Sequence, residues 1–347
     1  ITKEIIMNKL TKIGVSALCG SLAAVSAAQA GSMTVAGGST VTYTQNEGTV
    51  TGNPIGMTSG LTFTGSGELD GGSAVGYTVA LDDKAAFSTA AITLDVAGFG
   101  KISFDQGGGT GLDRLDDEMP SAWNVPTSTG LGTGIVIGTG AGNTMDVEWA
   151  VSSDMLPEGM TAYVSYNPRT GAMVGGDKTA SGDLGAGGQG YDIVLRSTSL
   201  YDGLDAFAGY SVIEQEEEGA GTDTQGDRTS YIVGAKYAVG SVTIGYQYLR
   251  DNVASSLPTG TRYYENDHYG VSFAVNDDLS LSYGMTKSTR ALQGTLSTEA
   301  EATSLQLSYT MGGATIAIAE NSVDNASYGS TSTFDSDGTT LALTLAF

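Results

Sequence analysis

Residues 108–116 read GGTGLDRLD. The spacing matches G-G-x-G-x-D-x-U-x, the nonapeptide that binds Ca2+ between the turns of a parallel β-helix. Asp117 and Glu118 follow at once, so Asp113, Arg114, Asp116, Asp117 and Glu118 form one short ionisable run. Clustered carboxylate oxygens suit a hard divalent ion, with Asp113 and Asp116 as the Ca2+ ligands. Placed in a pore, the same carboxylates would favour cations and repel anions, and Arg114 would stand ready to pair one of them. On an outer surface they would only solvate a loop. A calcium solenoid needs at least three stacked repeats, and the chain holds no second nonapeptide. Catalysis has less to draw on. His268 is the one histidine, and no G-x-S-x-G, H-E-x-x-H or C-x-x-C spacing accompanies it, so no catalytic residue is assigned.

The chain around this run sets its meaning. Met7 to Ala30 read MNKLTKIGVSALCGSLAAVSAAQA: a basic start, an apolar stretch too short to span a bilayer, and an A-x-A end. That is a secretory signal peptide cleaved after Ala30. Residues 1–6 read as an upstream extension of the reading frame. Cys19 is the only cysteine; Leu18 before it is a poor fit to a lipidation site, so the exported chain, 31–347, carries no disulfide. Losing Lys3, Lys9, Lys12 and Glu4 with the leader takes the formal charge from -23 to -25. So acidic a chain is no nucleic-acid binder, because phosphates need Lys and Arg.

After the leader the pattern has period two. TMDVEWAV sets Met145, Val147, Trp149 and Val151 opposite Asp146 and Glu148; YDIVLR sets Tyr191, Ile193 and Leu195 opposite Asp192 and Arg196. TTLALTLAF sets Leu341, Leu343, Leu345 and Phe347 on one face. About sixteen strands follow, near 32–44, 57–68, 73–82, 87–97, 99–106, 144–152, 160–167, 190–198, 204–214, 228–239, 241–251, 267–276, 278–288, 300–311, 313–321 and 337–347. Short turns alternate with long, acidic, Gly-rich loops. One face is aliphatic and aromatic; the other is Ser, Thr, Ala and Gly with scattered charge. Backbone groups in lipid must all be paired, so such a sheet has to close. The expected fold is all-β, a transmembrane antiparallel β-barrel with an aqueous lumen. Lys101, Asp105, Asp146, Glu148, Asp192, Arg196 and Lys236 lie on the polar faces and are the pore-lining candidates.

Three stretches carry a family resemblance: the leader, GFGKISFDQG at 98–107 with a long gap after it, and the terminal LALTLAF. In them the chain resembles the trimeric general porins of Gram-negative bacteria, in particular the alphaproteobacterial, Rhodobacter-type porins. The resemblance implies sixteen strands, a homotrimer, and a third external loop, here 107–143, folded into the pore as its constriction. It implies that Leu341, Leu343, Leu345 and Phe347 form the signal read by the outer-membrane barrel assembly machinery, and that lipid and lipopolysaccharide surround the barrel. Many such porins face their acidic loop with an arginine cluster; the early strands here offer only Lys84 and Lys101. The expected function is passive, cation-preferring diffusion of small hydrophilic solutes, with no resident cofactor beyond the Ca2+ considered above. The alternatives are a secreted or surface-layer Ca2+-binding β-solenoid, and a substrate-specific channel of the same fold.

Overall fold

The computed structural model describes residues 31–47, 52–83, 86–141, 145–170, 188–214, 226–253, 260–294 and 296–347. The expected leader, the upstream extension and Lys84 lie outside them.

Sixteen strands appear in chain order: β1 (Met33–Glu47), β2 (Ile55–Glu68), β3 (Ala74–Asp82), β4 (Ala86–Val96), β5 (Gly100–Gln106), β6 (Met145–Val151), β7 (Met160–Asn167), β8 (Gly190–Ser197), β9 (Leu204–Ile213), β10 (Arg228–Val239), β11 (Val242–Asn252), β12 (Thr261–Ala274), β13 (Leu279–Leu292), β14 (Thr298–Met311), β15 (Ala314–Asp324) and β16 (Ser336–Ala346). Each pairs with its neighbours in sequence, and β1 pairs with β16 to close the barrel. That closing seam is antiparallel and runs from Gly38 opposite Ala346 to Glu47 opposite Asp337. A β-solenoid is thereby excluded. Among the described residues no helix is long and apolar enough to cross a membrane.

Alternation assigns the two faces. On β16, Leu341, Leu343 and Leu345 point outward and stay exposed, while Thr340 and Ala342, on the alternate positions, are buried inside. Outward aromatics meet across strands: Tyr166 with Tyr191 and Tyr246 with Tyr269, each pair at 5.1 Å between ring centroids. At the β4–β5 turn Phe99 stacks on Trp149 at 4.9 Å, and the Trp149 indole N–H donates to the Phe99 carbonyl. These are interfacial positions.

Several strands run further than the alternation suggests, β12 and β13 by the most. β12 begins at Thr261 rather than near 267, and β13 runs to Leu292 rather than 288. Outward Glu265 and Asp267 of β12 and Lys287 and Thr289 of β13 interrupt the apolar alternation, so the apolar signal stops before the pairing does. Cross-strand ion pairs take over that outer face, Arg250 with Glu265 and Lys287 with Glu301, both at 3.2 Å.

The principal apolar cluster lies between the barrel wall and the chain that joins β5 to β6.

Candidate pore constriction

The β5–β6 loop folds inward. Its first turn, the 3-10 segment Gly111–Leu115, buries Leu112 and Leu115 completely. With Met119 they rest on Val194, Phe207, Ile232 and Leu249, the inward side chains of β8 to β11. Burying a leucine contributes roughly 1.5–3 kcal/mol, so this pad holds the loop to the wall without any charge. The wall makes room with small residues. A Cβ at Gly209 would lie 2.4 Å from Leu112 Cδ1; at Gly270 it would lie 2.7 Å from the Pro120 carbonyl oxygen.

Three wall carboxylates then hold that turn, one through a hydroxyl and two through backbone N–H groups. Thr110 Oγ1 donates to Asp146 at 2.7 Å. The Gly111 N–H donates to Glu148 at 2.8 Å, and Ser165 Oγ adds a further bond to the same oxygen. Asp192 accepts the Leu112 N–H at 2.8 Å and the Ala141 N–H at 3.1 Å. It thus joins the outgoing and returning limbs of the loop. Gly111, at φ +54, has no room for a Cβ, which would sit 2.2 Å from Asp192 Oδ2. The first N–H groups of a helical turn have no partner within the turn, and these carboxylates supply one.

This corrects one expectation. Asp146, Glu148 and Asp192 do face inward, but the loop covers them; they are 1%, 3% and 2% exposed. They are loop anchors and do not line open water. Arg114 also differs. It forms an ion pair with Glu148 of the wall instead of with a loop acid, and its guanidinium lies 4.0 Å from the Tyr163 ring centroid. Glu118 accepts from Arg196 at 2.7 Å and from Lys236, while Asp205 bonds the same arginine. The quartet of Glu118, Asp205, Arg196 and Lys236 carries no net charge. Asp105 accepts from Thr89 at 2.9 Å. Lys101 is exposed on the inward face it shares with Ser103 and Asp105.

Three acids of the run remain. Among the described residues Asp113, Asp116 and Asp117 have no ion-pair partner, and the Gly109 N–H donates to Asp113 at 2.7 Å. Burial raises the pKa of all three. Asp116 is pushed to about 7, first by burial and then by the charges of Asp117 and Asp113. Among the described residues no group of three or more His, Cys, Asp and Glu side chains is arranged to hold a metal ion. His268 lies on β12, buried, with Nδ1 at 3.0 Å from Thr286 Oγ1.

Farther along, amides and hydroxyls of the wall replace a strand partner. The Ala122 N–H donates to Ser282 Oγ, and the Trp123 and Asn124 N–H groups share Gln306 Oε1 at 3.0 and 3.1 Å. Asn321 Nδ2 donates to the Thr129 carbonyl at 3.2 Å. Sequence reasoning missed these residues. Their signal was an Asn or Gln standing among Ser and Ala on an inward face. On the way back Leu131 packs on Ala302 and Val323, with Ile135 and Ala326 beside them. The anchors named lie on β6 to β15. On β1 and β16, inward hydroxyls pair with one another, as in Thr40 with Thr344 at 2.9 Å.

A closed, sixteen-stranded barrel with an aliphatic outer band and an acidic loop folded against its inner wall has the architecture of a transmembrane β-barrel channel. The sequence model of the Gram-negative porin family matches residues 14–344. The chain belongs to that family. No curated protein sequence matches it. Among solved structures it is similar to OmpT, an outer membrane protein of Vibrio cholerae, with TM-score 0.66 and 14% identity over 91% of this chain and 98% of that one. It is similar to an anion-selective porin from Comamonas acidovorans, with TM-score 0.65 and 14% identity over 91% and 100% of the two chains. A mutant of Rh. blastica porin matches with TM-score 0.57 and 15% identity over 91% and 100%. At such identities the likeness concerns the fold alone.

Proposed function

We propose that this outer-membrane porin passes small hydrophilic solutes and ions by passive diffusion, prefers cations, and performs no chemical step. The observation that carries the reading is the placement of Asp113, Asp116 and Asp117 on a loop inside the barrel with no ion-pair partner among the described residues. Carboxylates at a narrow passage attract cations. The first third of the chain offers little to offset them, since Lys84 and Lys101 are the only basic residues between 31 and 106. A Ca2+ ion at Asp113 and Asp116 enters this reading as a passing counter-ion. The leader is removed after Ala30, the terminal LALTLAF is read by the assembly machinery, and lipid with lipopolysaccharide surrounds a homotrimer. The trimer draws support from OmpT of Vibrio cholerae, described in a trimer form.

The test is the zero-current potential of a planar bilayer under a salt gradient. A value on the cation side is expected; an anion-selective value would overturn the preference. The preference should also depend on pH. With its pKa near 7, Asp116 is mostly protonated at pH 6 and ionised at pH 8. Its raised value means that negative charge is gained as pH rises through neutrality. The zero-current potential should move further toward the cation limit between those two values. A flat response would remove Asp116 from the filter.

A further inference from the structure

The β15–β16 loop, residues 325–335, enters the constriction. Asn325, Ser327 and Tyr328 have φ of 55°, 55° and 62°, and they are the only non-glycine residues with positive φ among those described. Left-handed backbone is a genuine outlier for a residue as bulky as tyrosine. It persists only where the surroundings over-determine it. Here they do. The Asn325 N–H donates to Asp335 Oδ1 at 2.9 Å and ties the base of the loop. The Ser327 N–H donates to the Thr133 carbonyl at 2.8 Å, a backbone bond directly into the constriction loop. Tyr328 is 4% exposed, with the Tyr264 ring 5.6 Å away and the Arg290 guanidinium 5.0 Å from its centroid.

The tyrosine hydroxyl belongs to a closed circuit. The Val136 N–H donates to Tyr328 Oη at 3.0 Å. Tyr328 Oη is 2.7 Å from Ser288 Oγ, and Ser288 Oγ donates to Asn266 Oδ1. The serine proton is therefore committed to the amide, and the tyrosine proton goes to the serine. Asn266 Nδ2 returns to the Val136 carbonyl at 2.9 Å. Both backbone groups of Val136, a residue of the returning limb, are satisfied by this ring. Asn266 and Ser288 are fully or almost fully buried. A buried network of this kind stays rigid while complete and becomes unfavourable when one member is lost.

We infer that Tyr328 is a positioning residue for the constriction: the β15–β16 loop acts as a hook that fixes how far the returning limb of the β5–β6 loop reaches into the pore. The aperture is then set by two loops, and a perturbation of the hook changes permeation with no change in the charges of the filter. The inference rests on the channel reading.

The experiment is single-channel recording of wild type, Tyr328→Phe, Tyr328→Ala and Asp335→Ala, each first shown to be a folded barrel by its heat-modifiable migration. Tyr328→Phe keeps the ring and removes only the hydroxyl, so it decides the matter even where Tyr328→Ala does not fold. Wild type should show one steady level. Tyr328→Phe should flicker to other conductance levels, with roughly a tenfold rise in the fraction of time spent there, the shift that loss of about one net hydrogen bond produces in a two-state equilibrium. Asp335→Ala, which leaves the circuit intact, should show a smaller rise. The zero-current potential should stay at the wild-type value, which separates positioning from filtering. A conducting wild type with an unaltered Tyr328→Phe trace would overturn this inference alone. A folded wild type that carries no current would overturn the channel reading and the inference with it.

Discussion

Replacing Asp192 by alanine should release both ends of the constriction loop at once and raise single-channel conductance. The carboxylate accepts from Leu112 on the outgoing limb and from Ala141 on the returning limb. A hydrogen bond to a charged group contributes roughly 1.5–3 kcal/mol, and an abandoned buried N–H costs a comparable amount. The two donors together therefore represent several kcal/mol of loop attachment. The leucine pad remains in Asp192→Ala, so the barrel should fold and the loop should stay partly docked while its neck widens. Water that enters the neck would satisfy the freed N–H groups and enlarge the conducting section. Asp192→Asn keeps one acceptor oxygen and should fall between wild type and alanine. Conductance equal to wild type in a folded Asp192→Ala barrel would show that the pad alone positions the loop.

Charge substitutions in the loop should all weaken the cation preference, by an amount that depends on which acid is removed. Converting Asp113, Asp116 and Asp117 to asparagine removes acids that have no ion-pair partner among the described residues. Two unit charges 4 Å apart interact by about 1 kcal/mol in water, equivalent to a several-fold change in local ion concentration. The cation preference of this triple variant should fall accordingly. Glu118→Gln does something else. It leaves Arg196 and Lys236 with Asp205 as their remaining acidic partner, so a neutral quartet gains one positive charge. Its zero-current potential should shift toward anions more than that of Asp117→Asn, although each variant deletes one carboxylate. Equal shifts would mean that Glu118 acts on permeating ions directly and that its ion pairs are screened.

Most of the barrel was legible because a lipid-facing sheet permits one pattern. An outward leucine every second residue, as in Leu341, Leu343 and Leu345, reports strand, face and register together. The reading ran short where the apolar alternation is interrupted, most of all at the start of β12 and the end of β13. The inward loop was expected from the family resemblance, with which the length of the 107–143 gap agreed. Its attachment was not. An inward Asp192 looks the same in sequence whether water or the Leu112 N–H lies opposite, and the two residues are 80 positions apart. The calcium-like spacing has a physical reason of its own. Gly111 turns the chain where Asp192 leaves no space, and Leu112 and Leu115 fill the pad. A tight glycine turn followed by buried apolar residues is what a β-helix corner also needs.

The seam between β1 and β16 has a consequence for timing. Gly38 faces Ala346 and Glu47 faces Asp337, so the last bonds to form join residues about three hundred positions apart. A chain that has not yet delivered β16 leaves two strand edges bare, and in hydrocarbon each unmatched backbone group costs several kcal/mol. Partial barrels therefore have no stable place in the bilayer. Membrane entry and ring closure must be a single late event, and the polypeptide has to be kept from premature edge-to-edge association until its final strand is available.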